Sequence, residues 1–195
     1  MEVVLLMDTF EAIASRRSIR KFLDTPLPDE IIRRILNAAI LAPSGKNRQP
    51  WYFIVIKEDK REQMVNVMRT GIEKHKVRGE KTGSSENSAR IMEQAPVTIF
   101  VFNPYEEKKK KRSTTGLMNV VDVQSTGAAI QNMHLAAQDL GIGALWICDI
   151  FYAYDELCKW LGQKNQMIAA VSLGYTDEHP DPRPRKPLDE VTLWL

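Results

Sequence analysis

An α+β fold built in layers is what this 195-residue sequence predicts, on three observations. Four short apolar runs, at residues 51–56, 95–102, 144–150 and 167–173, have the length and composition of strands. The segments between them carry apolar residues at helical spacing, and the two kinds of element interleave irregularly rather than in a repeated βαβ order. No internal repeat and no linker divides the chain, so residues 1–195 read as one domain.

The first helix opens at Asp8-Thr9-Phe10-Glu11, a capping-box pattern, and sets Phe10, Ile13 and Ala14 on one face. A second opens at Pro28-Asp29-Glu30, where proline and two acids suit the first turn. Its stripe is Ile31, Ile32, Ile35, Leu36 and Ala39, and Pro43 stops it. The continuous run Trp51 to Ile56 then reads as a strand buried on both faces. Asp59 and Glu62 frame another capping box, followed by Met64, Val67, Met68 and Ile72 at helical spacing. From Glu73 to Ser88 the chain is polar, with Gly79 and Gly83, which suits a mobile loop, a weak helix or, in an enzyme, a lid.

Ala95 to Phe102 is the second strand, with Pro96 tolerated at its start. Gly116 to Leu140 is a long helix whose middle is rich in small residues, so something packs closely there. Gly141 ends it, and Ala144 to Ile150 is the third strand. Tyr154 to Leu161 is a short helix closed by Gly162, and Met167 to Leu173 is the fourth strand. The proline-rich tail from Tyr175 ends in Val191-Thr192-Leu193-Trp194-Leu195. Such an apolar end must dock, on its own domain or on a second copy, because exposed it would lower solubility.

Bulk properties narrow the function. Lys and Arg exceed Asp and Glu by two, and the isoelectric point near 8.5 falls short of a nucleic-acid footprint. The basic run Lys108 to Arg112 has no interleaved aromatics and reads as a solvated loop, so no nucleic-acid partner is expected. Cys148 and Cys158 form no CxxC pair and suit a reduced compartment. Met1 to Met7 lacks a basic stretch and is too short for a secretion signal, and no run is long enough to span a membrane. A cytoplasmic protein with no membrane partner is the expectation.

Familiar catalytic signatures are missing. There is no Walker phosphate loop and no GxSxG. Gly141-Ile142-Gly143 has Trp146 where a dinucleotide fingerprint needs a third glycine. His75, His134 and His179 have no companions at metal-ligand spacing, so no metal is expected.

Two features remain. Arg16, Arg17 and Arg20, with Ser18, supply three guanidiniums and a hydroxyl within five residues, suited to a phosphate group or to a solvated basic turn. Ala42-Pro43-Ser44-Gly45-Lys46-Asn47-Arg48-Gln49-Pro50-Trp51 lies between a helix and a strand and is dense in amides and hydroxyls. These match the edge of a heterocycle, or simply form a turn.

Taken together, and in this order, the two features resemble the N-terminal signature of the nitroreductase family of FMN-dependent flavoproteins. The resemblance continues at Met92 to Val97, at Gly127 to Asn132 through Leu140 to Gly143, and at Arg185 to Val191. It implies a three-layer fold with a mainly antiparallel central sheet, in an intertwined homodimer with FMN at the subunit interface. By the same resemblance, Arg16, Arg17, Ser18 and Arg20 hold the FMN phosphate and ribityl chain, Arg185 closes the phosphate side, and Arg183 assists. Pro43, Ser44 and Asn47 reach the flavin from the other subunit, and Gln124 is a further contact. Leu145, Trp146 and Ile147 lie against one face of the isoalloxazine, with a nearby backbone N–H reaching N5; as a residue in its own right, Trp146 also reads as core filler. The tail from about residue 175 embraces the partner.

The implied activity is transfer of hydride from NADH or NADPH, a transient donor, to nitroaromatic, quinone or similar electron-poor acceptors by ping-pong turnover. The flavin carries the chemistry, and no catalytic acid or base is assigned. Lys46 and Arg48, if they border the site, favour anionic or electron-poor acceptors. A flavin storage or redox-sensing protein, or a flavin-destroying or dehalogenating relative, shares the same residues; the absence of Tyr between Phe53 and Pro104 speaks against the deiodinating branch.

Overall fold

A central four-stranded sheet in the order β1-β2-β4-β3, every neighbouring pair antiparallel, organises the chain. Its strands are β1 (Tyr52–Lys57), β2 (Val97–Asn103), β3 (Gly143–Ile147) and β4 (Gln166–Gly174). The computed structural model describes residues 7–105 and 114–195, with no side-chain description for 114–116. Met1 to Leu6 and the basic run Lys108 to Arg112 therefore lie outside the described residues.

The alternation of side chains along a strand sorts the core into two halves. Val97, Ile99 and Val101 of β2, with Ala169, Val171 and Leu173 of β4, pack against α2 (Asp29–Ile40) and α5 (Thr114–Asp139). Phe100 and Phe102 of β2, with Leu145 and Ile147 of β3, face the opposite way. They meet α3 (Lys60–Val77), α4 (Ser85–Gln94) and α6 (Tyr154–Trp160). Helices on both faces of an antiparallel sheet make the three layers that the sequence predicts. Every residue of β2 is buried, as its apolar run requires. β1 departs from expectation: it is an edge strand, Tyr52 is exposed and only Ile56 is buried, so one neighbour rather than two covers it.

Of the alternatives open for Glu73 to Ser88, a mobile loop, a weak helix or a lid, the structure shows helix at both ends of the segment with a turn between them. α3 continues to Val77 and α4 begins at Ser85. Its buried positions, Ser85 and Ser88, are small and polar, so a search for large apolar residues misses them. Ion pairs replace the missing apolar stripe: Lys74 with Glu156, Lys76 with Glu86 and Arg78 with Glu80. Asp149, just past β3, accepts hydrogen bonds from Ser84 at 2.7 Å and Ser88 at 2.6 Å, tying α4 to the sheet. Asp8 caps α1 (Thr9–Ser15) through the N–H groups of Phe10 and Glu11, whereas Asp59 makes no side-chain cap on α3.

Candidate functional site

The arginine-bearing segment is fastened to the sheet by its backbone. After α1 the chain runs beside β3, and the N–H of Ile19 donates to the carbonyl of Ala144 at 3.0 Å. Leu23 N–H donates to Tyr175 at 2.8 Å, and Glu178 accepts from the N–H groups of Arg20 and Lys21. These bonds also bring the proline-rich tail back across the same segment. The result is a cavity of about 300 Å³ lined by Arg16, Arg17, Ser18 and Arg20 from one end of the chain and Arg183 and Arg185 from the other. Against these guanidiniums stands one lining carboxylate, Asp181.

Electrostatics confirm the convergence. The Arg16 guanidinium holds its proton less firmly than usual, chiefly because it is partly desolvated, then because Arg185 and Arg17 lie nearby. Arg17 donates to the carbonyls of Ala14 and Arg16, Arg20 to that of Ser18, and Arg185 to those of Arg183 and Pro184. Those bonds orient the guanidiniums yet use only part of the five donors each carries. A cluster of like charges held together without an equal number of carboxylates destabilises itself, and a phosphate dianion is the kind of group that relieves it.

The second candidate, the loop from Pro43 to Pro50, sits elsewhere. It is pinned to the N-terminal half of α5: Gly45 N–H donates to Ser125 Oγ at 3.3 Å, Arg48 pairs with Asp122, and Thr126 Oγ1 donates to Pro50 O at 2.8 Å. A Cβ on Gly45 would overlap Val121 Cγ1, so only glycine allows this approach. Lys46, Asn47 and Gln49 all take left-handed φ near 50°, which side chains other than glycine and asparagine rarely adopt. Pro43 and Asn47 are exposed and Ser44 is half-buried, its Oγ accepting from Gln49 N–H. Gln124 is exposed on α5 beside these anchors. Arg48, expected to favour anionic or electron-poor acceptors if it borders the site, pairs its guanidinium with Asp122 and sets it 4.8 Å from the centre of the Tyr105 ring.

Leu145, Trp146 and Ile147 do not act as one surface. On a strand consecutive side chains point to opposite faces, so Leu145 and Ile147 enter the core on the α3 side. Trp146, still 38% exposed, turns toward α5, with Gly127 beneath the tip of its ring and His134 stacked against it. His134 is buried, and desolvation, reinforced by the charge of Arg16, pushes its pKa down to about 4. Asp122, Ser125 and Thr126 carry no signal in the sequence, because their partners lie far away in the chain and no local pattern marks them. Among the described residues, no group of His, Cys, Asp or Glu could hold a metal ion, and no helix is long and apolar enough to cross a membrane.

Comparison with known proteins adds a family context. The profile described as the Nitroreductase family matches residues 13–175. A protein of Methanothermobacter thermautotrophicus, provisionally named NADH dehydrogenase/NAD(P)H nitroreductase, is 31% identical over 96% of this chain and 87% of its own length. The NADPH-flavin oxidoreductase of Vibrio harveyi is 27% identical over 94% of this chain and 72% of its own. A crystal structure from Desulfovibrio desulfuricans, of a protein provisionally called a nitroreductase and in complex with FMN, superposes with a TM-score of 0.76. It is 31% identical and covers 97% of this chain and 98% of its own.

Proposed function

This chain belongs to the nitroreductase family, and from that premise we propose an oxidoreductase that holds FMN, takes hydride from NADH or NADPH and reduces nitroaromatic, quinone or similar electron-poor acceptors. The observation that carries this reading is the cavity where Arg16, Arg17, Ser18 and Arg20 meet Arg185. Its size and excess of positive charge fit one phosphate group with the start of a ribityl chain, and Arg183 adds a further donor.

FMN, when bound, supplies the two-electron chemistry. The residues of this chain bind and orient it. The arginines would take the phosphate, Trp146 would offer an aromatic surface, and a backbone N–H near the segment Leu145 to Ile147 would donate to the ring. Pro43, Ser44, Asn47 and Gln124 complete the other side. Asp122 and His134 are twelve positions apart on α5, about 18 Å at 1.5 Å per residue. The loop is anchored at one end of that span and Arg16 lies near the other. This separation supports a homodimer in which the loop of one protomer serves the arginine cavity of its partner. The tail from about residue 175, with Val191, Leu193 and Trp194 exposed on the single chain, would wrap that partner. Donor and acceptor would then occupy the site in turn, which gives ping-pong kinetics, and Cys148 and Cys158, which form no disulfide, suit a cytoplasmic setting.

The test is spectroscopic. The purified protein, reconstituted with FMN, should be yellow and dimeric, and anaerobic NADH or NADPH should bleach it within seconds. Failure to take up FMN would overturn the site, and a bound flavin that neither nucleotide reduces would overturn the enzyme.

A further inference from the structure

Asp122 is almost fully buried, at 2% side-chain exposure, and accepts two hydrogen bonds from Arg48: Nε to Oδ1 at 3.0 Å and Nη2 to Oδ2 at 3.1 Å. A buried carboxylate is tolerated only when it is well paired, and this fork-to-fork geometry is the favourable one. What the pair holds is unusual. Three residues in the span Lys46 to Gln49 are left-handed, and at Lys46 and Gln49 that conformation works against the side chain. Such a backbone persists only where surrounding contacts enforce it. Here they come from one helix, with Asp122 on Arg48, Ser125 on Gly45 and Thr126 on Pro50, and from Ser44, whose Oγ accepts from Gln49 N–H. The clamp begins one residue after the half-buried Ser44 and brackets Asn47, which it leaves exposed at the surface.

We propose that Asp122 is a positioning residue for FMN. Acting through Arg48, it holds the loop with Lys46, Asn47 and Gln49 left-handed, the form that presents Ser44 and Asn47 to the flavin, without itself touching the flavin. The inference rests on the reading of Ser44 and Asn47 as flavin ligands. It also explains why the Arg48 cation is withdrawn from the rim, leaving Lys46 as the exposed charge of the loop.

The experiment uses the full-length holoprotein, with FMN affinity from fluorescence quenching, the visible circular dichroism of bound flavin, and the melting temperature of the apoprotein. Asp122→Asn keeps the shape and removes the charge; Arg48→Gln breaks the pair from its more exposed side, should Asp122→Asn fold poorly. Each should weaken FMN binding tenfold or more and alter the flavin dichroism. The double variant should be no weaker than the worse single one. Gln49→Gly, which relieves a left-handed residue, should restore part of the affinity in the Arg48→Gln background, as a purely structural role for the pair would not require. FMN affinity within twofold of wild type in a folded Asp122→Asn or Arg48→Gln protein, or additive losses in the double variant, would overturn the proposal. Failure of the wild type to bind FMN would instead overturn the reading of the site itself.

Discussion

His134 of α5 lies against Trp146 of β3, ring centroids 6.3 Å apart and planes 26° from parallel, with no hydrogen-bond partner for either imidazole nitrogen among the described residues. The contact joins the helix that anchors the loop to the strand that runs beside the arginine segment. It also places a titratable ring where charge is unwelcome.

That placement predicts a pH dependence. In the unfolded chain His134 protonates near 6.5, whereas the folded chain refuses the proton until about pH 4. Between those values the unfolded state binds more protons, so acid favours unfolding, and the loss reaches about 3 kcal/mol at the lower end. Urea denaturation of wild type and His134→Phe at pH 7 and pH 4.5 checks it. The wild type should lose more stability over this range than the variant; equal losses would show that the ring titrates normally.

Arg185 repels Arg16 in the absence of an anion. Arg185→Ala should therefore weaken FMN binding about 10- to 100-fold, the scale of a charge-assisted hydrogen bond. The melting temperature of the apoprotein should hold or rise. A residue kept only for folding would lower both. Fluorescence titration and thermal melts of the same preparation distinguish the two, and raised salt should narrow the difference in affinity.

Gly71, inside α3, sets how closely that helix approaches the 3₁₀ segment Asp149–Ala153. A Cβ there would overlap the Cα and Cβ of Ala153 and come within 2.8 Å of the Tyr152 carbonyl. Alanine improves helix propensity by about 1 kcal/mol. Overpacking against backbone, which cannot rotate away, costs about 1–3 kcal/mol. Gly71→Ala should thus be destabilising on balance, seen as a lower urea midpoint with an unchanged slope.

The tail bears on the proposed dimer. Leu193 and Trp194 are each 80% exposed on the single chain. Leu193→Asp with Trp194→Asp should convert the dimer to monomer in sedimentation and reduce FMN occupancy with it. A double variant that remains a fully loaded dimer would remove the tail from the interface.

Some of this architecture was readable directly from residue spacing. The stripe Ile31, Ile32, Ile35, Leu36 and Ala39 announces α2, and the apolar run of β2 announces a central strand, because burial of one face or two imposes its own period. The polar stretch from Glu73 to Ser88 stayed open between loop and weak helix for the converse reason: it folds on ion pairs and small buried residues, which carry no such period.

From its residues alone, then, the chain declares its four strands, most of its helices, the cluster Arg16, Arg17, Ser18 and Arg20, and a loop rich in amides. These depend on neighbours a few positions away. Only the packed chain decided that Arg185 returns to Arg16, that Arg48 turns inward to Asp122, and that Leu145 and Ile147 part company with Trp146. Each of those outcomes depends on sheet register or on a contact between distant segments, and both are settled by the burial of the whole core rather than by any local run of sequence.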